Sequence, residues 1–243
     1  MREQGVWCPT AIVVTCEHAG REVPRAYRAA FRGAGDALRS HRGWDPGAFG
    51  VATRLAAGLG APLHLTCVTR LLVDANRSAG NPDRFSQFVR GLSAEQHGAI
   101  LTAYYEPHWR NVEATIGGLI ALGRRVLHVG VHTCTDELHG SRRELECAFL
   151  YDESLAADAA ICRVWRDALV ARRPAWRCPF NEPYKGTDDG ITTILRQRFP
   201  VSAYAGIELE MRQGFVRTRW AQRRVALELL SAWEAAVVAL PEH

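Results

Sequence analysis

Four short segments carry most of the side chains that could act together in chemistry. Glu17-His18 follows one apolar run, Asp74-Ala75-Asn76-Arg77 ends a second and His132-Thr133 ends a third. In a fourth, Glu208 and Glu210 alternate with Ile207, Leu209 and Met211. Two imidazoles and a carboxylate with one position left open are the donor set of a catalytic zinc, and a nearby carboxylate can take the proton of the water that such an ion acidifies. The H-E-x-x-H signature of helical zinc proteases is absent from the sequence, so the ligands would come from separate strands and loops. Glu208 and Glu210 lie two apart and share one face of a strand. Buried charge there demands partners, and an arginine is the expected one for Glu208. Asn76 and Arg77 can clamp a carboxylate, Arg77 through a planar two-pronged contact. Arg70 is a second candidate, with Asp74 pairing and orienting one of these arginines. Arg142 and Arg143, beyond the His132 loop, could reach a substrate or polarise its carbonyl.

Other reactive groups read differently. Cys134, two residues past His132, permits a cysteine–histidine nucleophilic pair as an alternative chemistry. His128 shares a face with His132 but lies deeper in its strand and reads as a core histidine. Asp45 by itself reads as a helix N-cap. His41 precedes the Asp45 turn and could stand behind the site. Glu17 is adjacent to His18; in an extended segment the two point apart, which makes Glu17 an outer partner or a salt bridge. His64, His97, His108 and His139 show no usable pattern, and His243 is terminal.

The elements that must place these groups follow from periodicity. Residues 11–16 (AIVVTC), 63–68, 71–75, 125–131, 147–151 and 203–211 read as strands. Residues 46–58, 93–120, 154–172, 190–197 and 218–240 read as helices, and 24–39 as helical or mixed. Ser93 with Gln96 forms a capping box at the head of the long helix. Strands alternating with helices predict an α/β fold with a mostly parallel or mixed central sheet and helices on both faces. In such sheets ligands bind beyond the carboxyl ends of strands, where the four polar segments fall.

Composition narrows the classes. The chain has 243 residues, 47% hydrophobic and 23% charged, with 30 Lys+Arg against 26 Asp+Glu for a net charge of +4. That is ordinary globular composition, and the length fits one domain spanning residues 1–243. No repeat, linker or low-complexity tract divides it. No apolar run is long enough to span a bilayer, and residues 1–10 lack the pattern of a signal peptide, so a cytoplasmic location is expected. Almost all of the basic charge is arginine, with Lys185 the single lysine. It is dispersed, without the basic and aromatic stripe of a nucleic-acid surface. The seven cysteines include no C-x-x-C pair and read as reduced thiols, mostly small buried hydrophobes.

Seven ordered stretches resemble the N-formylglutamate amidohydrolase family. They are V-V-T-C-E-H-A (13–19), H-R-G-W-D-P-G-A (41–48), T-R-L-L-V-D-A-N-R (69–77), H-V-G-V-H-T-C-T (128–135), L-Y-D (150–152), N-E-P-Y (181–184) and G-I-E-L-E-M-R-Q (206–213). The chain is more distantly similar to zinc carboxypeptidases in order: His18, Asn76-Arg77, His132, then Glu210-Met211-Arg212. The resemblance implies a zinc-carboxypeptidase-like fold and one zinc ion held by His18, Asp45 and His132. Glu22 and Glu17 remain alternatives for the third ligand. It further implies Glu210 as general base, Arg143 as a second catalytic group, and Arg70, Asn76, Arg77 and Tyr184 as substrate contacts. The activity implied is zinc-dependent hydrolysis of the amide of an N-formyl or other N-acyl amino acid such as N-formyl-L-glutamate, a small-molecule substrate, with no nucleic acid or membrane partner. A Cys134-dependent amidase and a non-catalytic carboxylate-binding protein of the same fold are the alternatives. The acyl group, the amino acid and the oligomeric state are not readable from the sequence.

Overall fold

The computed structural model describes residues 6–138 and 140–241. Part of the 1–10 segment read for a signal peptide, together with His139 and His243, lies outside the described residues. The strands are β1 (Ala11–Cys16), β2 (Leu63–Leu65), β3 (Val126–Cys134), β4 (Glu137–Leu138), β5 (Ser141–Arg142), β6 (Cys147–Leu150) and β7 (Tyr204–Arg212). The α-helices are α1 (Gly35–Arg39), α2 (Ala48–Leu59), α3 (Ala94–Ile100), α4 (Glu106–Ala121), α5 (Ala156–Arg172), α6 (Ile191–Arg198) and α7 (Arg219–Val237).

One five-stranded sheet, ordered β2-β1-β3-β7-β6, forms the centre; β6 alone runs antiparallel, and β4 and β5 make a separate hairpin. The sheet is therefore mixed. Register sets what each face presents. His128 pairs with Gly206, Gly130 with Glu208 and His132 with Glu210. These positions share one face, because side chains alternate along a strand. The intervening residues Leu127, Val129, Val131, Ala205, Ile207, Leu209 and Met211 join an apolar core with α2, α5 and α7. A second core on the opposite face joins Val13, Val126 and Tyr204 to Trp109, Val112 and Ile116 of α4 and Ile191 and Leu195 of α6. The chain leaves β1 through α2 on one face and enters β3 through α4 on the other. The carboxyl ends of β1 and β3 thus flank a crevice at the point where the strand order reverses, the usual ligand position in such sheets.

Two elements depart from the sequence expectation. Residues 71–75, expected as a strand, form turns and pair with no strand. Their apolar character comes from Leu71, Leu72 and Val73 packing into the second core rather than from sheet pairing. The helix expected over 93–120 keeps its capping box at Ser93 and Gln96 but contains a π-helical turn, Leu101–Tyr105. Pro107, in the first turn of α4, supplies no N–H to an ordinary ladder, which accounts for the widened turn. No described helix is long and apolar enough to cross a membrane. All seven cysteines are free.

Candidate metal and hydrolytic site

Three loops meet at the carboxyl ends of β1 and β3. The backbone N–H of Asp45 donates to the His18 carbonyl at 3.0 Å, and that of Arg70 donates to the Gly43 carbonyl at 3.2 Å. Gly47 takes a left-handed conformation, with φ of 94°. A Cβ there would run into Val216, so glycine is required for the chain to turn from Asp45 into α2. Gly47, not Asp45, occupies the N-cap of α2, and no side chain caps that helix. The Asp45 carboxylate is thereby left to face the histidines instead.

Asp45 Oδ2 lies 3.3 Å from His18 Nδ1 and 3.2 Å from His132 Nδ1. The candidate ligand atoms of the three residues lie within 4.8 Å of one another, and all three residues are buried. The far ring nitrogens meet other carboxylates: His18 Nε2 is 2.7 Å from Asp74 Oδ1, and His132 Nε2 is 3.3 Å from Glu17 Oε2. If each Nε2 carries the proton that faces its outer carboxylate, both Nδ1 lone pairs and a carboxylate oxygen converge on one spot. Three converging electron pairs repel unless positive charge sits among them. Protons can supply that charge. Burial and Arg70 push the His18 pKa down but Asp74 and Asp45 raise it overall. Burial opposes charging His132 too, yet its contacts with Asp45 and Glu17 hold its pKa well above normal. A divalent cation supplies it equally, and two His nitrogens with one carboxylate suit zinc in chemical type. The donor set therefore fits a metal ion.

The surrounding charges are closely matched. Burial disfavours ionised Asp74, but Arg70 and His18 keep its pKa far below the usual carboxylate range. Arg70 Nη2 is 2.6 Å from Asp74 Oδ2, and Nη1 is 3.6 Å from Asp45 Oδ1. Glu210, opposite His132 in register, moves the other way. Burial, with Asp45 and Glu208 adding to it against His132, pushes its pKa up to about 8. Without positive charge beside it such a carboxyl is mostly protonated at neutral pH, and a cation held by His18, Asp45 and His132 would lower it toward the ionised form that a base needs. Glu208 accepts a hydrogen bond from Thr192 Oγ1 at 2.9 Å, and among the described residues no arginine pairs with it.

His18, Asp45, His132, Glu208 and Glu210 line one cavity of about 120 Å³ together with Arg70, Asn76, Arg77 and Tyr184. The sequence candidates thus come together, with differences in what each is free to do. Arg70 is held by Asp74 and Asp45. Arg77 Nη1 donates to the Asp189 carbonyl at 3.0 Å, and Asn76 Oδ1 accepts from the N–H of Ile191 at 2.8 Å. Arg143 does not line the cavity. It stands at the rim, its Nη2 3.0 Å from the Tyr184 hydroxyl and its guanidinium over the Tyr184 ring. His41 is exposed. Glu22 makes an isolated bridge to Val68, away from the three converging ligand atoms. Cys134 is buried with Leu145, Ala148 and Leu150, and burial pushes its thiol up to about 12. His128 is enclosed between Thr15 and Tyr204 at 2.9 and 2.8 Å, and burial drops its pKa to about 3. It is the core histidine that its strand position predicts.

The sequence assigns no role to several cavity or supporting residues, Thr133 and Asn181 among them although they lie inside the 128–135 and 181–184 stretches. Lys185, Asp188, Asp189 and Thr133 also line the cavity. Asn181, at positive φ of 52°, accepts hydrogen bonds from the Tyr151 and Gly186 N–H groups, both at 3.0 Å, and so shapes the loop carrying Tyr184 and Lys185. Tyr105, the last residue of the π-helical turn, and Trp109 of α4 donate to the carbonyls of Arg77 and Ala75 at 2.7 and 2.9 Å, fixing the Asn76-Arg77 segment. Outside those stretches the single lysine beside Tyr184 was the one available signal. The remainder depends on chain segments far apart in sequence.

A gene product of Agrobacterium tumefaciens is similar in structure over 98% of both chains, at 26% identity and a TM-score of 0.82. An N-formylglutamate amidohydrolase from Ralstonia eutropha JMP134 shares the fold over 97% of this chain and 96% of its own, at 17% identity and a TM-score of 0.69. No protein of curated function matches the sequence. The model of the family described as N-formylglutamate amidohydrolase matches residues 10–216, a span running from β1 to the end of the segment after β7. The protein therefore belongs to the N-formylglutamate amidohydrolase family.

Proposed function

We propose that the protein is a metal-dependent hydrolase of N-acyl amino acids, with zinc as the metal and N-formyl-L-glutamate as the leading substrate. The observation that carries this reading is the convergence of His18 Nδ1, His132 Nδ1 and Asp45 Oδ2 beside a buried Glu210 whose pKa is raised to about 8. Family membership supports the amidohydrolase class. A bound divalent ion would supply Lewis acidity, bringing the pKa of water toward neutrality and polarising a carbonyl oxygen.

The chain's own groups do the rest. Glu210 takes a proton from the attacking water at a carboxylate oxygen and returns it to the departing amine as the amide C–N bond breaks. Water is consumed, and the acid and the free amino acid are released. Asn76 and Arg77 receive a substrate carboxylate from one side of the cavity. Arg143 holds the hydroxyl and ring of Tyr184, which lines the cavity, and so acts on the substrate through Tyr184. Arg70 lines the cavity and also pairs Asp74 and the ligand Asp45, so it orients these carboxylates alongside any substrate contact.

A cysteine mechanism has little support, since a buried thiol near 12 holds almost no thiolate at neutral pH. The deciding experiment combines metal analysis of the purified protein with formate release from N-formyl-L-glutamate, before and after chelation and with zinc added back. Activity lost to chelation and restored by zinc is the expected result. Activity that survives complete metal removal, or that Cys134→Ala alone abolishes, rejects the reading. Binding of N-formyl-L-glutamate without turnover by metal-loaded protein would favour the non-catalytic alternative. The cytoplasm is the proposed location.

A further inference from the structure

Behind His132, on the side away from the cavity, lies a group of buried polar side chains that the proposed chemistry does not use. Glu17 is 1% exposed and stands between two imidazoles. Its Oε1 is 3.2 Å from His108 Nε2 of α4, and its Oε2 is 3.3 Å from His132 Nε2. The second contact is an ion pair without hydrogen-bond alignment; neither Glu17 Oε2 nor His132 Nε2 has a hydrogen-bond partner. Two unsatisfied polar atoms facing each other in a dry interior are costly. A leucine at 108 and an apolar residue at 17 would fill the same space without that cost.

From this geometry we infer that Glu17 and His108 are positioning residues that fix His132 as a metal ligand from helix α4. The inference rests on the metal-site reading given under Proposed function. A histidine can offer Nδ1 to an ion only if its remaining proton sits on Nε2, and a carboxylate facing Nε2 enforces that arrangement. Asp74 does this for His18, and Asp74 is itself held by Arg70 and by the N–H of Asn76 at 3.0 Å. Glu17 occupies the equivalent position behind His132. Its two oxygens face His108 Nε2 and His132 Nε2, at 3.2 and 3.3 Å. His108 takes the part that Arg70 plays for Asp74. Its place follows from the long helix: Pro107 and the π-helical turn precede it, and Trp109 beside it holds Ala75. One helix thus touches both supports of the site, the Asn76-Arg77 segment on one side and the Glu17 carboxylate on the other.

The test measures metal affinity in folded protein by competition with a chelator of known zinc affinity, using wild type, Glu17→Gln, His108→Leu and His108→Gln. Glu17→Gln is expected to weaken zinc binding by about 10- to 100-fold, the usual effect of losing such an outer partner. His108→Leu should weaken it less, by roughly 3- to 10-fold, with His108→Gln, which keeps a donor, restoring most of the loss. Metal-free His108→Leu should unfold more easily, because it leaves the Glu17 carboxylate buried without its partner, while Glu17→Gln removes the charge and should shift unfolding less. Cobalt-loaded Glu17→Gln should show shifted visible bands relative to wild type. A plain packing role predicts unchanged metal affinity and an unchanged cobalt spectrum, whatever the metal-free stability of the variants. Zinc affinities of Glu17→Gln and His108→Leu within twofold of wild type overturn the inference while leaving the metal site standing. A wild-type protein that binds no divalent ion overturns both.

Discussion

On one side of the sheet Val129, Val131, Ile207, Leu209 and Met211 meet Leu55, Ile161, Trp165 and Leu229. One residue along the same strands, the other side presents His128, Gly130, His132, Glu208 and Glu210. The first face is dry and apolar, and each fully buried aliphatic or aromatic side chain there contributes about 1.5–3 kcal/mol. The second face buries several ionisable groups, which at best offset their own desolvation. Along the carboxyl-terminal halves of β3 and β7 the two-residue period of a strand separates apolar packing from ionisable side chains, while nearer the strand starts the second face also packs a core through Val126 and Tyr204. The apolar face holds the sheet rigid, and that rigidity lets the polar face keep like charges close without rearranging.

The sharpest way to break this comparison is one substitution on each face. Glu210→Gln should lower kcat by at least about 100-fold, the scale of a lost acid–base group. The protein should stay folded, since the substitution removes a buried carboxyl raised to about 8. Trp165→Ala, on the apolar face, should cost about 3–5 kcal/mol in denaturant unfolding while the folded fraction keeps its kcat. A large kcat loss in folded Trp165→Ala would show that the faces are not independent.

A neighbouring pair sharpens the point. A Cβ on Gly130 would lie 3.2 Å from Glu208 Cγ and 3.4 Å from His132 Nε2. Gly130→Ala should therefore reduce kcat/KM by about tenfold or more through displacement of these groups. Val129→Ala, one residue earlier on the opposite face, should reduce only stability, which unfolding and kinetics measured side by side will separate.

Acid sensitivity should also belong to one face. His128 is buried and its pKa falls from 6.5 to about 3. The folded state therefore holds it neutral while the unfolded chain takes up a proton. Its stabilising contribution is complete above pH 6.5 and is lost as pH falls from there toward 3. Replacing His128 with asparagine should flatten the decline of unfolding free energy across that window, measured in denaturant at several pH values. An unchanged slope would place the acid sensitivity elsewhere.

The smallest effect concerns the cavity mouth. Lys185 lines the cavity and is exposed, and its side chain makes no hydrogen bond or ion pair among the described residues. Arg70 and Arg77 spend contacts on Asp74 and Asp189. Lys185→Ala should raise KM for N-formyl-glutamate by about three- to fivefold, the scale of an exposed ion pair, and leave N-formyl-leucine unchanged. Equal effects on both substrates would remove Lys185 from the reading of an acidic side chain.

Much of the polar face was legible in the residues because strand alternation is local. The run from Val126 to Cys134 declares which of its residues share a face, and the spacing of Glu208 and Glu210 does the same for β7. Asp45 was ambiguous on local grounds, since an aspartate just before a helix is ordinarily its cap. Only Gly47, by taking the cap position, shows that the carboxylate is free. The 71–75 segment was misread because an apolar run looks the same whether it pairs in a sheet or packs as turns against a core. The arginine expected for Glu208 was wrong for a similar reason: Thr192 reaches it from α6, and nothing in β7 encodes that neighbour.

The sequence by itself determined the strand and helix pattern, the order of His18, Asn76-Arg77, His132 and Glu210, and the family they resemble, because periodicity and motif order are properties of the linear chain. The folded chain was needed to bring Arg70 to Asp74 and Asp45, to set Glu17 and His108 behind His132, and to bury Glu210 so that its pKa rises to about 8. Each of these depends on charges brought within about 3–4 Å from distant segments into a dry interior, where Coulomb interactions and desolvation are strongest.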